Sequence, residues 1–176
     1  QSQAGIDFNA RSNVTLRGAG PDQTMLVFSG GVSCGGLGAD ICFRNAALNS
    51  TDSPGNSASW TAGYSVGTTS ITLSSTTNLK VGSLLMLDQL DDSADGGGIF
   101  VCQATGVCAT EGPGGSGRSG RVQEQIVTVT GIAGTTVTIS PAIYLPNWRS
   151  SQSPGAWWSS AVPITMSGME DLTVNH

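Results

Sequence analysis

Carboxylates are the first residues of this sequence whose types could support chemistry. Glu170 and Asp171 are adjacent, while Asp7 and Asp40 occur far earlier in the chain. Glycoside hydrolysis uses two carboxylic groups roughly 5 to 10 Å apart, one as acid and the other as base or nucleophile. Because adjacent strand residues point to opposite faces, Glu170 and Asp171 cannot form that pair with each other. We predict that either one acts with Asp7 or Asp40, the alternative being that all are ordinary solvent-facing residues.

A second chemistry, β-elimination of a uronate, needs a base to take the α-proton and a cation to neutralise the carboxylate. Lys80 is the sole lysine, and Arg17, Arg44 and Arg149 are further candidates. Nothing in their spacing groups them. The sequence therefore leaves hydrolase and lyase chemistry open.

An aromatic-rich segment is the best pointer to a ligand. Its aromatic and polar members are Tyr144, Asn147, Trp148, Arg149, Trp157 and Trp158. Such segments either pack over a core or meet a flat, partly apolar ligand such as a sugar ring. In the second case Trp157 and Trp158 stack on pyranose faces, while Asn147 and Arg149 hydrogen-bond hydroxyls or carboxylates. Packing under a long loop is the commoner outcome.

A glycine-rich acidic loop between residues 88 and 121 contains Asp91, Asp92 and Asp95. Calcium takes six to eight oxygen ligands, and closely spaced carboxylates on a loop can supply several of them. The EF-hand pattern is not matched from Asp91 onward. Calcium binding and a solvated loop are the two interpretations, and the incomplete motif favours the solvated loop.

Four cysteines fall into two close pairs, Cys34 with Cys42 and Cys102 with Cys108. Structural zinc sites favour closer spacing, and His176 is the only histidine. We therefore predict two local disulfides, which implies an oxidising compartment.

The elements that would position these residues are strands. Apolar and polar residues alternate in residues 13–17 and again in 169–174, and Gly18, Gly20 and Pro21 mark a sharp turn after the first run. Between these two blocks, residues 70–73, 84–87, 125–129 and 136–139 are further strand candidates. They predict a small antiparallel meander or barrel.

The run Asn13-Val14-Thr15-Leu16-Arg17-Gly18-Ala19-Gly20-Pro21-Asp22-Gln23-Thr24 resembles an early coil of the right-handed parallel β-helix proteins of the pectate-lyase-like superfamily. Met169-Glu170-Asp171-Leu172-Thr173-Val174 is similar to another coil. The resemblance implies an all-β fold in which a small β insertion interrupts β-helix coils. We expect coils in residues 1–49, the insertion with its long disulfide-bearing loop and aromatic segment in 50–163, and a return to the β-helix in 164–176.

Composition limits the partners. The formal net charge is -5, with seven Lys or Arg against twelve Asp or Glu, so the clustered basic residues that nucleic acids require are missing. No apolar run approaches the roughly 20 residues that span a bilayer. We predict neither a nucleic-acid nor a membrane partner, a secreted location, and self-association through exposed β-helix ends.

Members of the superfamily are mostly carbohydrate-active enzymes and phage tailspikes. The resemblance therefore implies part of a secreted protein that binds or depolymerises a polysaccharide, as a glycoside hydrolase or polysaccharide lyase. The alternative is a non-catalytic module for glycan binding, attachment or structural assembly, as in tailspikes. Calcium is the one cofactor that the residues suggest.

Overall fold

The computed structural model describes residues 5–30, 34, 38–45, 55–92, 118 and 120–176, and the backbone of 102–104 and 107–108. The chain forms two compact units, one from Gln1–Ala47 with Pro163–His176 and one from Leu48–Val162. Strands dominate both, which confirms the predicted all-β class. No helix in the described ranges has the length and apolarity needed to cross a bilayer.

The unit Leu48–Val162 is built around a closed antiparallel barrel. Its strands, with a short hairpin that stands outside the barrel, are β5 (Asn56–Ala62), β6 (Ser70–Leu73), β7 (Leu84–Asp88), β8 (Cys102–Ala104), β9 (Val107–Cys108), β10 (Glu124–Ala133), β11 (Thr136–Ser140) and β12 (Gly155–Trp158). The barrel order is β10-β11-β6-β5-β12-β7, and β8 pairs with β9 to form the hairpin. A single turn of 3₁₀-helix covers Ser150–Gln152.

The four predicted strands, three from alternation and one from a more continuously apolar run, are confirmed as β6, β7, β10 and β11. The barrel has two further strands, which were not predicted. β5 is rich in small polar residues, and β12 lies in the aromatic-rich segment. All four residues of β12 are buried, so no alternation between apolar and polar types marks it.

Every second side chain of the barrel strands points inward, and these side chains fill the barrel interior. In β7 and β10, for example, Leu85, Leu87, Val127 and Val129 are at most 1% exposed. Burying each such side chain contributes roughly 1.5 to 3 kcal/mol to folding. The whole core cluster consists of Trp60, Ile71, Leu73, Leu79, Leu85, Leu87, Val127, Val129, Val137, Ile139, Ile143, Trp148, Ala156 and Trp158.

The other unit contains parallel strand pairs. Its strands are β1 (Ile6–Asp7), β2 (Thr15–Arg17), β3 (Met25–Val27), β4 (Ile41–Cys42), β13 (Gly168–Glu170) and β14 (Thr173–Asn175). β1 pairs with β4, β2 with β13 and β3 with β14. Three successive strands are thus matched in the same order by three later ones, and the barrel sequence lies between β4 and β13.

Gly18 allows two turns of this unit to approach closely. Its N–H donates to the backbone oxygen of Glu170, and a Cβ at this position would collide with the backbone oxygen of Asp171 and with Thr24 and Leu172. The turn that the sequence placed at Gly18 therefore has a steric basis. A glycine is needed here for space.

The predicted disulfide between Cys34 and Cys42 is present. For the other pair, the backbone register of β8 and β9 places Cys102 opposite Cys108. The side chains of that pair lie outside the described residues, so their disulfide stays a prediction.

We expect Gly18→Ala to lower the free energy of unfolding by about 1 to 3 kcal/mol, because the added methyl group meets a backbone oxygen that cannot move alone. Gly168→Ala is the matched control, since a Cβ there meets open space. Chemical denaturation of both variants measures the difference. Equal stability of the two variants would contradict the close approach.

Candidate functional site

A cleft of about 640 Å³ opens on the barrel unit. β5 forms one wall, where Ser57, Ser59 and Thr61 are exposed and alternate with more buried neighbours. Residues two apart on a strand share a face, so Ser57 and Ser59 point the same way. Thr61 continues this row of hydroxyls past a register shift between Trp60 and Ala62, and its hydroxyl donates to the backbone oxygen of Thr72 at 3.2 Å. The complete lining is Ser57, Ala58, Ser59, Trp60, Thr61, Tyr64, Ser74, Arg118, Arg121, Ser150, Ser153, Pro154 and Gly155.

Strand register sets the floor of the cleft. Gly155 of β12 pairs with Ser59 of β5 on one side and with Asp88 of β7 on the other. Directly paired residues lie on the same face of a sheet. Because Gly155 has no side chain, it leaves a gap between the Ser59 hydroxyl and the Asp88 carboxylate. The Arg118 guanidinium occupies this space, and a Cβ at Gly155 would collide with it.

Two arginines converge on Asp88, whose side chain is 0% exposed. Arg118 donates from Nε to Oδ2 at 2.8 Å and from Nη2 to Oδ1 at 2.5 Å. Arg121 donates from Nη1 to the same Oδ1 at 2.8 Å and to the backbone oxygen of Ser153 at 3.1 Å. Charge-assisted, two-pronged contacts of this kind are strong and fix the plane of a guanidinium. Asp88 thus holds both arginines at the edge of the cleft.

Aromatic packing fixes Tyr64, which also lines the cleft. The Tyr64 ring meets Trp60 edge-on at 5.0 Å, and its hydroxyl donates to the Trp60 backbone oxygen at 2.9 Å. Burial raises the pKa of Tyr64, so the phenol stays protonated and keeps donating over a wider pH range.

The aromatic segment of the sequence is buried. Trp148, Trp157 and Trp158 are 7%, 2% and 2% exposed, and Trp148 packs against Trp60 with ring centroids 5.1 Å apart. The predicted sugar stacking on Trp157 and Trp158, or on Trp148, is therefore wrong, because protein covers these rings. All three tryptophans pack against protein, which is the alternative that the sequence left open. Tyr144 is the exposed aromatic of the segment.

Buried glutamines explain why residues 142–149 close over the barrel. Gln125 accepts hydrogen bonds from the backbone N–H groups of Tyr144 and Leu145 and donates to the oxygen of Ala142. Gln123 donates to the oxygen of Pro146. The two glutamines are 1% and 7% exposed, and without these partners their buried amides would be unpaired at a cost of about 1 to 3 kcal/mol each.

Gln89 completes this glutamine clamp, which consists of Gln89, Gln123 and Gln125. It donates to the backbone oxygen of Asn147 and accepts from the N–H of Arg149. Asn147 and Arg149, predicted to bind hydroxyls, are thereby fixed through their backbones. The Arg149 side chain also forms an ion pair with Asp92 at 3.0 Å.

The acidic residues predicted to bind calcium are engaged with protein. Asp91 accepts from the backbone N–H of Val122 at 2.9 Å, and Asp92 pairs with Arg149. Asp95 lies outside the described residues. Within the described ranges, no group of three His, Cys, Asp or Glu side chains could hold a metal ion. Calcium binding here stays a prediction.

The residues predicted to be catalytic lie in the other unit. Glu170 forms an ion pair with Arg17, its neighbour across the β2–β13 pair. Asp7 accepts from Arg44 at 2.7 and 3.1 Å, and this hydrogen bonding raises the pKa of Arg44. These contacts show arginine partners for both carboxylates.

Asp171 and Asp40 are the remaining candidates. Asp171 adopts a left-handed backbone conformation with φ 55°, at the turn after β13. Asp40 lies 3.0 Å from Nδ1 of His176. The catalytic roles of Glu170, Asp171 and Asp7 stay predictions, because the structure adds no geometry that favours them.

The cleft residues were missed by the sequence analysis. In the sequence, Asp88 begins the glycine-rich loop and Arg121 ends it, and no local pattern connects the two residues. One signal was available: Asp88 directly follows the apolar run of β7, where a carboxylate needs a buried cationic partner.

No protein-family model matches the chain. No curated protein matches it. Among solved structures, the Gp54 tailspike of Acinetobacter baumannii bacteriophage AP22, in complex with A. baumannii capsular saccharide, is similar at 14% identity and a TM-score of 0.42, over 94% of this chain and 21% of the tailspike. The tailspike gp61 of Pseudomonas phage phi297 is similar at 11% identity and a TM-score of 0.44, over 98% of this chain and 22% of the tailspike.

The chain thus spans about a fifth of the length of these two tailspikes. Similarity at this level establishes neither a family nor a function. The resemblance to pectate-lyase-like proteins stays a prediction.

We expect Gln125→Leu to lower the free energy of unfolding by at least about 2 kcal/mol, because two N–H groups and one carbonyl lose their buried partner. Opening of the loop also shifts tryptophan emission to the red by exposing Trp148. Gln23→Leu, at an exposed position, is the matched control. Unchanged stability and emission for Gln125→Leu would rule out the clamp.

Asp88→Asn keeps the shape of the side chain and removes the charge that holds both arginines. Breaking a buried ion pair in this way costs about 3 to 5 kcal/mol. The same substitution at exposed Asp22 should change stability by less than about 0.5 kcal/mol. Urea denaturation compares the two, and a loss below 1 kcal/mol at Asp88 would show that Asp88 does not anchor the cleft.

Proposed function

We propose that this chain is a glycan-binding module and that the barrel cleft is its binding site. The observation that carries the proposal is the lining. Most of its side chains carry a hydroxyl or a guanidinium, and the exposed Ser57, Ser59 and Thr61 stand in one row. A saccharide presents many hydroxyls, each of which both donates and accepts hydrogen bonds. Serine and threonine hydroxyls can likewise donate or accept a hydrogen bond.

Rigidity supports this proposal. The row of hydroxyls lies on a barrel strand, the arginines are fixed by Asp88, and the Tyr64 phenol is held by Trp60. Side chains that are already ordered lose less entropy when a ligand binds. The cleft therefore offers a preformed polar surface.

We propose binding in preference to depolymerisation. Hydrolysis of a glycosidic bond needs two carboxylic groups that reach the bond. No Asp or Glu is among the described residues that line the cleft, and the neighbouring Asp88 is buried and paired with two arginines. Among the described residues, the cleft thus has groups that hold a saccharide and no pair of carboxylic groups that would cleave it.

We also infer that the parallel strand pairs are two turns of a β-helix that the barrel interrupts. The order supports this, because β1, β2 and β3 are matched in sequence by β4, β13 and β14. Side chains in register support it too, since Phe8 stacks on Phe43 with ring centroids 4.7 Å apart and Leu16 pairs with Met169.

A secreted location belongs to the same proposal. The disulfide between Cys34 and Cys42 supports it, because such bonds persist in oxidising compartments. Placed outside the cell, the chain would meet capsular or cell-wall polysaccharides directly.

Affinity electrophoresis against neutral and acidic polysaccharides tests the proposal. We expect at least one polysaccharide to retard the chain without release of reducing ends or of unsaturated uronates. Ser57→Trp fills the cleft from its exposed wall and should weaken that retardation at least tenfold.

The matched control is Thr130→Trp, at an exposed position that does not line the cleft. It should bind like the parent chain. Equal binding by the parent and Ser57→Trp would remove the cleft as the site, and release of reducing ends would favour an enzyme.

A further inference from the structure

The cleft has a charge opposite to that of the chain. The whole sequence has a formal net charge of -5, yet among the described residues the charged ones that line the cleft are Arg118 and Arg121. Their shared partner, Asp88, carries one negative charge against their two positive ones. The group of three is left with one positive charge beside the row of hydroxyls.

Both guanidiniums keep hydrogen-bond donors for a ligand. Asp88 takes Nε and Nη2 of Arg118, and Asp88 with Ser153 takes Nη1 of Arg121. A guanidinium has five N–H donors. Within the described part of the chain, Nη1 of Arg118 and Nε and Nη2 of Arg121 have no partner. The two side chains are 24% and 15% exposed, so solvent reaches them.

This arrangement differs from an ordinary surface ion pair. An ion pair between exposed side chains is usually mobile and screened, and it contributes little to stability. Here a carboxylate that is 0% exposed fixes both guanidiniums from behind. Their remaining edges are therefore oriented before a ligand arrives, which suits an anion that accepts two parallel hydrogen bonds.

We propose that the cleft selects acidic saccharides, whose anionic oxygens bind the free edges of Arg121 and Arg118 while the hydroxyl row binds the sugar ring. The inference rests on the proposed glycan binding and names the class of glycan. A carboxylate and a sulfate ester share this chemistry, and the experiment separates them.

The test compares polysaccharides that differ only in charge, with the full chain and affinity electrophoresis at low and moderate salt. One pair is a polyuronate and its carboxyl-reduced derivative, and the other is dextran sulfate and dextran. We expect at least tenfold tighter binding to the polyuronate than to its reduced form, weakening as salt rises. Tighter binding to dextran sulfate than to the polyuronate would assign the site to sulfate.

Arg121→Gln should reduce binding of the acidic polysaccharide at least tenfold and binding of the reduced form by a clearly smaller factor, because the uncharged glycan loses a hydrogen-bond donor and no ion pair. Arg121→Lys keeps the charge and loses the planar fork, so it should fall between the two. Arg11→Gln, at an exposed position of the other unit, is the matched control. Near-ultraviolet circular dichroism confirms that each variant is folded.

Two failures are distinguishable. If the reduced and acidic forms bind equally, or Arg121→Gln and Arg121→Lys both bind like the parent, selection by charge is wrong while glycan binding stands. If no polysaccharide of either kind is retarded, glycan binding itself is wrong, and the inference falls with it.

Discussion

The cleft depends on a carboxylate placed on the outer face of a barrel strand. Asp88 follows the apolar run of β7, and strand pairing sets it beside Gly155 and Ser59. An isolated buried carboxylate would be very costly, so its burial requires the two arginines that cover it. The same contacts determine where the arginines stand. One electrostatic requirement therefore builds the charged edge of the cleft.

Closure of the barrel supplies the rigid frame for this edge. The row of hydroxyls on β5, the gap at Gly155 and the position of Asp88 all follow from the register of three neighbouring strands. The glutamine clamp closes residues 142–149 over the core, where Ile143 and Trp148 join the apolar cluster. Apolar packing and satisfied polar groups thus act together.

The sequence predicted the barrel strands that alternate, because Val127, Val129, Val137 and Ile139 mark an interior face at every second residue. It could not predict β12, where Gly155 and Trp157 are buried on one face and Ala156 and Trp158 on the other. The tryptophans of this strand were predicted to be ligand contacts because burial on both faces leaves no alternation that marks them as core residues. Their number signalled a large buried surface, and composition alone does not say whether protein or ligand covers it.

The cleft and the glutamine clamp could not be predicted from the sequence for a different reason. Asp88 meets arginines 30 and 33 residues later in the chain, and Gln89 meets the backbone 58 and 60 residues away. Such contacts follow from closure of the barrel, which brings distant segments together. The local pattern places Gln125 in a strand and assigns no role to either Gln123 or Gln125, whereas the fold uses both to pair the backbone of residues 142–146.

A crystal structure of the chain soaked with an acidic oligosaccharide tests the central claim most directly. The account predicts sugar density beside Ser57, Ser59 and Thr61, with an anionic group within hydrogen-bond distance of Arg121. Density elsewhere, for example beside Glu170 or Asp7 with the cleft empty, would contradict it.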